Sequence, residues 1–372
     1  MPELPEVQRA VNLLNKWQGS IIVRVDALQD DIVFAETNHN EFVRKPRRLL
    51  LSFLTCTKAK ELAGRTIQRC ERYGKMFWLE LSGPGRQPLL HFGMTGMLQV
   101  KGQLPAYYKD TPKSASADWP PRFMKFILHL SDGASVAFLD PRRLGRIRLV
   151  QSPGSRAEPP LSDLGFDPLL SMPSIEVFKD RTLARACPIK ALLLDQKHSA
   201  GVGNWVADEI LYHARVHPEQ RSNTLTDAQL AALYYHTSNV CRVAVAVDAD
   251  DTRFPDDWLF RHRWGKRKKA ASASAATLKL PTGEPATIKW ITVGGRTSAY
   301  VAELQHLDGP VEKVGRAKRK AKVARADVQT LSPERVSTGR RPTGRSGRNE
   351  KYCCEEAKNR RCIKRQTGTS RS

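Results

Sequence analysis

Ser199-Ala200-Gly201-Val202-Gly203-Asn204 interrupts the most helix-like region of the chain with two glycines in three residues. Pro188–Asp195 before it and Asn204–Ala214 after it carry helical apolar patterns, so the spacing predicts two helices joined by a two-part turn. Outward from there, Ile175–Ala186 and Thr226–Val247 read as further helices, the latter opened by a capping-box signature in Thr226 and Gln229. Upstream, Ser152-Pro153-Gly154-Ser155 through Pro159-Pro160 reads as a linker. Before it, short apolar runs alternate with Gly, Pro, Asp and Ser breaks: Leu49–Leu54, Met76–Leu81, Leu89–Phe92, Phe126–Leu130, Val136–Leu139 and Ile147–Val150. That pattern predicts a β-sandwich or barrel-like domain. Polar, proline-rich Gln103–Pro121 reads as an exposed loop. At the front, Val7, Ala10, Val11 and Leu14 recur at helical spacing up to Gly19, and Ile21–Val25 is a β-branched strand. Behind the helices, Thr277–Val301 alternates around Pro281-Thr282-Gly283-Glu284-Pro285, a hairpin signal. Beyond about residue 310 a Lys/Arg/Gly/Ser/Thr-rich stretch with one aromatic, Tyr352, is expected to be disordered. The fold class expected is α+β.

At 372 residues the chain has room for two domains and a tail. No uninterrupted apolar run approaches a membrane span and no charged-then-apolar leader opens the sequence, so a soluble intracellular protein without membrane association is expected. The seven cysteines (56, 70, 187, 241, 353, 354 and 362) are scattered and odd in number, which argues against a disulfide framework and for a reducing compartment. A net charge of +23 points to a polyanionic partner, nucleic acid before anionic membrane. From Leu307 onward 19 Lys/Arg face 7 Asp/Glu, so the tail holds +12 and the preceding 306 residues still hold +11.

Chemistry is concentrated at the start, Met1-Pro2-Glu3-Leu4-Pro5-Glu6-Val7. Removal of an initiator Met before a small residue would expose Pro2 as a secondary amine. An α-amino group ordinarily titrates at about 7.7–8.0, against about 10.4 for Lys, so much more of it is nucleophilic at neutral pH. A secondary amine attacking an aldehyde carbon gives an iminium, an electron sink, and neighbouring Glu3 is placed to move protons. Pro followed by acid also opens ordinary helices.

Four further motifs follow in order: His91-Phe92-Gly93-Met94-Thr95-Gly96, Asp140-Pro141-Arg142-Arg143-Leu144-Gly145, Gly201-Val202-Gly203-Asn204 and Gly294-Gly295-Arg296-Thr297. With Pro2–Val7 they resemble the formamidopyrimidine-DNA glycosylase family of base-excision repair enzymes, over roughly the first 305 residues. The opening Pro-Glu-Leu-Pro-Glu is closer to that branch than to the endonuclease VIII branch. The resemblance implies a bifunctional glycosylase and abasic-site lyase acting on oxidised purines: formamidopyrimidines, 8-oxoguanine and hydantoins. Pro2 would attack C1′ of an everted nucleotide, Glu3 would protonate the sugar oxygen, and β,δ-elimination would cut the strand.

Lys75 matches a lysine that grips phosphate beside the lesion, and is counted as catalytic with Pro2 and Glu3; a strand-end lysine is otherwise a solvated cation. DNA-contact positions are His91, which has a structural alternative, Lys190, Asn204 and Arg296. Asn204 reads equally as an N-cap, at a helix start whose amides favour phosphate. Met94, Arg142 and Leu144 match the residues that fill the void left by the everted nucleotide, with Leu144 replacing the usual aromatic wedge; Met94 alone also suits a core.

The resemblance further implies an N-terminal catalytic β-sandwich domain (1–151), a linker (152–162), a helix-two-turn-helix DNA-binding domain (163–270), a finger hairpin (271–306) and a basic tail (307–372). No Cys-x-x-Cys pair supplies a zinc site, so the finger resembles the zincless type of plant and fungal members, held by Leu278, Leu280, Ile288 and Trp290. Neither metal nor cofactor is expected. The partner expected is damaged double-stranded DNA, bound by a monomer. Arg316-Ala317-Lys318-Arg319-Lys320-Ala321-Lys322 suits a nuclear-localisation signal, a DNA tether or a plain solvated tail, and a nuclear protein is the expectation. A non-catalytic DNA-binding relative and a basic chromatin scaffold are the rival classes.

Overall fold

Alternation of apolar and polar residues in the first half produces two four-stranded antiparallel sheets. In the computed structural model, residues 2–34, 61–104, 118–264 and 277–307 are described. All belong to the first of two units, Met1–Val311; the second, Glu312–Ser372, lies outside the described residues. The run Leu49–Leu54, most of the 103–121 loop, Cys353, Cys354 and Cys362, and the expected tail from residue 308 on also lie outside them.

Helix α1 (Leu4–Asn15) precedes strands β1 (Ile22–Ala27), β2 (Ile67–Tyr73), β3 (Met76–Leu81), β4 (Gln87–His91), β5 (Met97–Val100), β6 (Met124–Leu130), β7 (Ser135–Leu139) and β8 (Arg146–Val150). One sheet has the order β1-β6-β7-β5, the other β2-β3-β4-β8. Inward residues two apart, such as Phe77 and Leu79, Phe126 and Leu128, and Ile147 and Leu149, meet between the sheets. Val7, Ala10, Val11 and Leu14 of α1 close the same core. Phe92 packs at 4.7 Å from Phe77 and 5.3 Å from Phe138, so the chain leaving β4 is pinned to the core. Truncating such a ring costs about 3–5 kcal/mol.

Two strands escape the apolar pattern. Strand β2 buries Arg72 beside core residues Ile67 and Cys70, and β5 has only four residues.

The second region packs helices α2 (Ile175–Leu183), α3 (Ile189–Leu194), α4 (Asn204–His213) and α5 (Asp227–Ala246) around Trp205, Ile210, Leu211 and Phe178. The capping box at α5 is present: Thr226 N–H donates to Gln229 Oε1 at 3.0 Å and Gln229 N–H to Thr226 Oγ1 at 3.3 Å. Helix α2 stops short of Ala186, as expected where Pro188 disfavours helical geometry just before it.

The hairpin is placed differently from the expectation. Strands β9 (Ile288–Val293) and β10 (Arg296–Val301) turn at Gly294-Gly295, with φ of 57° and 73°. Two consecutive positive φ angles suit a tight hairpin turn that glycine adopts without strain. Pro281–Pro285 makes a smaller turn of its own, closed by the Lys279–Pro285 bridge. Leu278, Ala299 and Val301 pack with Tyr212 and Leu259, and Leu280, Ile288 and Trp290 cover them. Hydrophobic packing therefore attaches the hairpin to α4.

Candidate active site

Three glycines allow the N-terminus, the β2–β3 turn and the turn before α4 to meet. A Cβ on Gly74 would lie 2.9 Å from the Ala200 Cβ, one on Gly201 2.9 Å from Leu4, and one on Gly203 2.2 Å from the Glu3 carboxyl carbon. No other residue type fits there without displacement. Leu4 N–H donates to the Gly201 carbonyl at 3.1 Å, which fixes the start of α1 against that turn.

Glu3 is 2% exposed, and each of its oxygens is used: Oε1 accepts Trp205 N–H and Oε2 accepts Val206 N–H, both at 3.0 Å. A carboxylate thus occupies the positive end of α4. The N-cap is Gly203, so Asn204 is not the cap, and these amides hold Glu3 rather than being open to phosphate. Glu6 completes the arrangement: Oε2 accepts Glu3 N–H at 2.8 Å and Oε1 accepts the Trp205 indole N–H at 3.1 Å. Burial, then the charge of Glu3, pushes the Glu6 carboxyl up to about 7, against opposition from the Glu3 backbone hydrogen bond and Arg9. Pro2 is buried beside this pair and lines a cavity of about 180 Å³ with Glu6, Phe92, Thr95 and Pro141.

Lys75 follows Gly74 in the β2–β3 turn and donates from Nζ to the Val202 carbonyl at 3.0 Å. Burial lowers its pKa most, Arg296 lowers it further, and Glu3 and Glu6 oppose. Lys75 therefore shares one electrostatic neighbourhood with Glu3 and Arg296. His91 accepts the Gly93 N–H on Nδ1 at 3.1 Å, which leaves the proton of a neutral ring on Nε2. Burial, with Lys75, Arg146 and Arg148, pushes that imidazole down to about 4, so it is neutral at physiological pH. Asn204 donates from Nδ2 to the Thr297 carbonyl at 3.0 Å, joining α4 to the hairpin turn beside exposed Arg296.

Lys190 is a correction. Its side chain is wholly buried and ion-paired with Asp208, which also pairs with Arg263 at 2.5 Å and accepts the Ala299 N–H at 3.3 Å. A lysine so enclosed presents no charge to the surface; it helps anchor β10.

Met94, Arg142 and Leu144 sit on two loops held together through their backbones. Buried Asp140 accepts Gly145 N–H at 2.6 Å on Oδ2, and Thr95 Oγ1–H at 3.0 Å and Arg142 N–H at 3.2 Å on Oδ1. Gly93, at φ 61°, leaves only 2.3 Å between an added Cβ and the Leu144 carbonyl carbon. Arg142 and Leu144 remain exposed, Leu144 at 40%. Neighbouring Arg143 turns away and clamps Asp30 at 3.0 Å. Burial pushes the Asp30 carboxyl up, but hydrogen bonds from Arg143 and Lys125 bring it down to about 2.

Sequence reasoning misses Glu6 as a partner of Glu3, Asp140 as the tie between loops, and the Asp208 network. It also misses Asp167, which pairs with buried Arg72 and accepts Gly74 N–H at 2.8 Å, so steadying the turn that presents Lys75. A carboxylate amid apolar residues, as in Val206-Ala207-Asp208-Glu209, is the available signal.

The formamidopyrimidine-DNA glycosylase N-terminal domain family matches residues 1–147, and the H2TH domain of the same enzymes matches 164–256. A formamidopyrimidine-DNA glycosylase of Arabidopsis thaliana is 37% identical over 327 residues, covering 87% of this chain and 76% of that protein. One from Desulforamulus reducens is 31% identical, covering 82% and 99%. Among solved structures, Lactococcus lactis Fpg bound non-covalently to DNA containing an AP site matches with a TM-score of 0.60 and 21% identity, covering 82% of this chain and 99% of that one. MutM in complex with carbocyclic 8-oxo-G containing DNA matches at 0.61 and 21%, covering 82% and 100%.

Proposed function

The chain belongs to the formamidopyrimidine-DNA glycosylase family, DNA-binding glycosylases of base-excision repair, and from that premise we propose that it both excises oxidised purines and cuts the strand, through Pro2. The observation that carries the proposal is the Pro2–Glu3 junction: a buried nucleophile position next to a carboxylate fixed by two amides at 3.0 Å, at the wall of a cavity.

Once Met1 is removed, the Pro2 nitrogen attacks C1′ of the damaged nucleotide and the base departs. The proton that the Pro2 nitrogen sheds on attack passes through the Glu3 carboxylate to the sugar oxygen, so the ring opens to an iminium on Pro2. The iminium acidifies C2′; β-elimination then breaks the strand on the 3′ side, δ-elimination on the 5′ side, and hydrolysis frees Pro2. The relatives solved with AP-site and 8-oxo-G DNA support a lesion-bearing duplex as substrate. The largely apolar cavity beside Pro2, with Glu6, Arg9 and Thr95 as polar points, suits a base rotated out of the stack.

Lys75, the Nε2–H of His91, Asn204 and Arg296 hold phosphates around the lesion. Met94 and Leu144 fill the void, and Arg142 bonds the orphaned base on its pairing edge. Hairpin packing and the Asp208 ties support a finger that works without zinc. The +12 tail suits a DNA tether and a nuclear address, and the protein acts as a monomer in the nucleus. The test is a panel of duplexes carrying formamidopyrimidine, 8-oxoguanine, a hydantoin or an abasic site. Base release followed by a one-nucleotide gap is expected. Base release with an intact strand would refute the lyase half, and no release from any lesion would refute the whole.

A further inference from the structure

We infer that the groove between the linker region and α2 is a second, non-catalytic seat for a DNA phosphodiester backbone, an inference that rests on DNA being the substrate. The groove encloses about 640 Å³ and is lined by Arg156, Arg181, Arg185, Lys197 and His198, with no carboxylate among its lining residues. Arg181, Arg185 and Lys197 are exposed, and no acid pairs with any of them among the described residues. A basic residue ending a helix is ordinarily explained by the helix dipole, and that suffices for Arg181 in the last turn of α2. It does not account for Lys197 and Arg156, which reach the same groove from two other segments. The Arg156 guanidinium lies 4.4 Å from the centre of the Tyr73 ring, held there by cation–π attraction.

His198 adds an independent sign. It is 8% exposed, packed against Phe166 and Phe178 at 5.4 and 6.2 Å, and its Nε2 has no hydrogen-bond partner. An unpaired buried ring nitrogen is costly, and because this one is closed off from the surface, a turn of the ring is needed for it to donate to an anion's oxygen in the groove. Burial, reinforced by Arg181 and Arg185 and opposed by Asp195, pushes this ring down to about 4, so it serves as a neutral donor beside the fixed cations.

Continuity with the lesion site selects nucleic acid over an acidic protein segment. Residues 196–202 line the groove at Lys197 and His198, while their far end presents the Val202 carbonyl to Lys75. Gln196 braces that span, donating to Val202 O at 2.9 Å and accepting Gly201 N–H at 3.0 Å. Tyr73, which carries Arg156, donates to the Gly165 carbonyl in the groove at 2.7 Å and lies two residues before Lys75. The same two segments thus serve a phosphate at Lys75 and an anion in the groove.

The experiment replaces Arg181→Gln, Arg185→Gln and Lys197→Gln together in the full chain. For a long undamaged duplex, the slope of log affinity against log salt should fall by about 2–3, since three phosphate contacts are removed. Single-turnover excision from a short lesion duplex should be unchanged, which also shows that the variant folds. An unchanged salt slope would overturn the proposal. So would polyglutamate binding that the triple variant loses while its DNA slope stays the same, because the occupant would then be an acidic protein segment. Failure of the unsubstituted protein to release any base would instead count against the glycosylase reading, on a separate readout.

Discussion

The Pro2–Glu3 junction and the exposed rim around Arg142, Leu144 and Arg296 are built on opposite principles. At the junction every carboxylate oxygen of Glu3, and both of Glu6, has a donor from backbone or indole. At the rim, Arg142, Leu144 and Arg296 are exposed, while the backbone beneath Arg142 and Leu144 is held tightly by Gly93 and Asp140. The groups proposed to react are thus positioned before substrate arrives, as a chemical step needs. The side chains proposed to meet DNA are exposed ends on backbone that the loops hold in place.

The largest break in that contrast should come from Glu3→Gln. It keeps shape and one acceptor but removes proton transfer, so single-turnover excision should fall about 10²–10⁴-fold while lesion-duplex affinity changes little. Equal losses of binding and excision would show that Glu3 is only a structural link to α4. Next, Asp208→Ala leaves Lys190 and Arg263 buried without their partner. Denaturant unfolding should report a loss of about 3–5 kcal/mol; a loss smaller than about 1 kcal/mol would mean that the hairpin is held by packing alone.

Smaller, and confined to the rim, Arg296→Ala should leave stability intact and weaken lesion-duplex binding by about 1.5–3 kcal/mol, in chelator as well as without it. Normal affinity in a binding titration would remove Arg296 from the phosphate contacts. The subtlest effect concerns Glu6. Its folded-state pKa is raised to about 7, so its contribution to stability is complete below the ordinary carboxylate range and is lost as pH climbs through that value. Glu6→Gln should flatten the fall in unfolding free energy between about pH 4.5 and 7, at most about 3 kcal/mol; identical pH profiles would contradict the burial of that carboxyl.

How much of this is legible in the sequence follows from distance along the chain. Helices and most strands declare themselves in local periodicity, and Pro2, Glu3, Lys75 and Met94 lie in short motifs. Lys190 is misread because its partner stands 18 residues downstream, on another helix. In isolation a lysine after Pro188-Ile189 looks solvated. Glu3 is legible as an acid, yet its anchoring on the α4 amides depends on a contact 202 residues away. A hairpin signal is read at Pro281–Pro285 and Gly294-Gly295 is read for the arginine that follows it, whereas the β9–β10 turn lies at the glycines, which accept the backbone angles it needs. Strand β2 escapes the apolar pattern because, beside core residues Ile67 and Cys70, it buries Arg72 in an ion pair with Asp167.

Borohydride trapping on lesion-bearing duplex tests the central claim most directly. Reduction of the iminium should link protein to DNA covalently, and mass mapping should place the link on the N-terminal peptide at Pro2. A link on Lys75, or base release with no trapped species, would contradict the account.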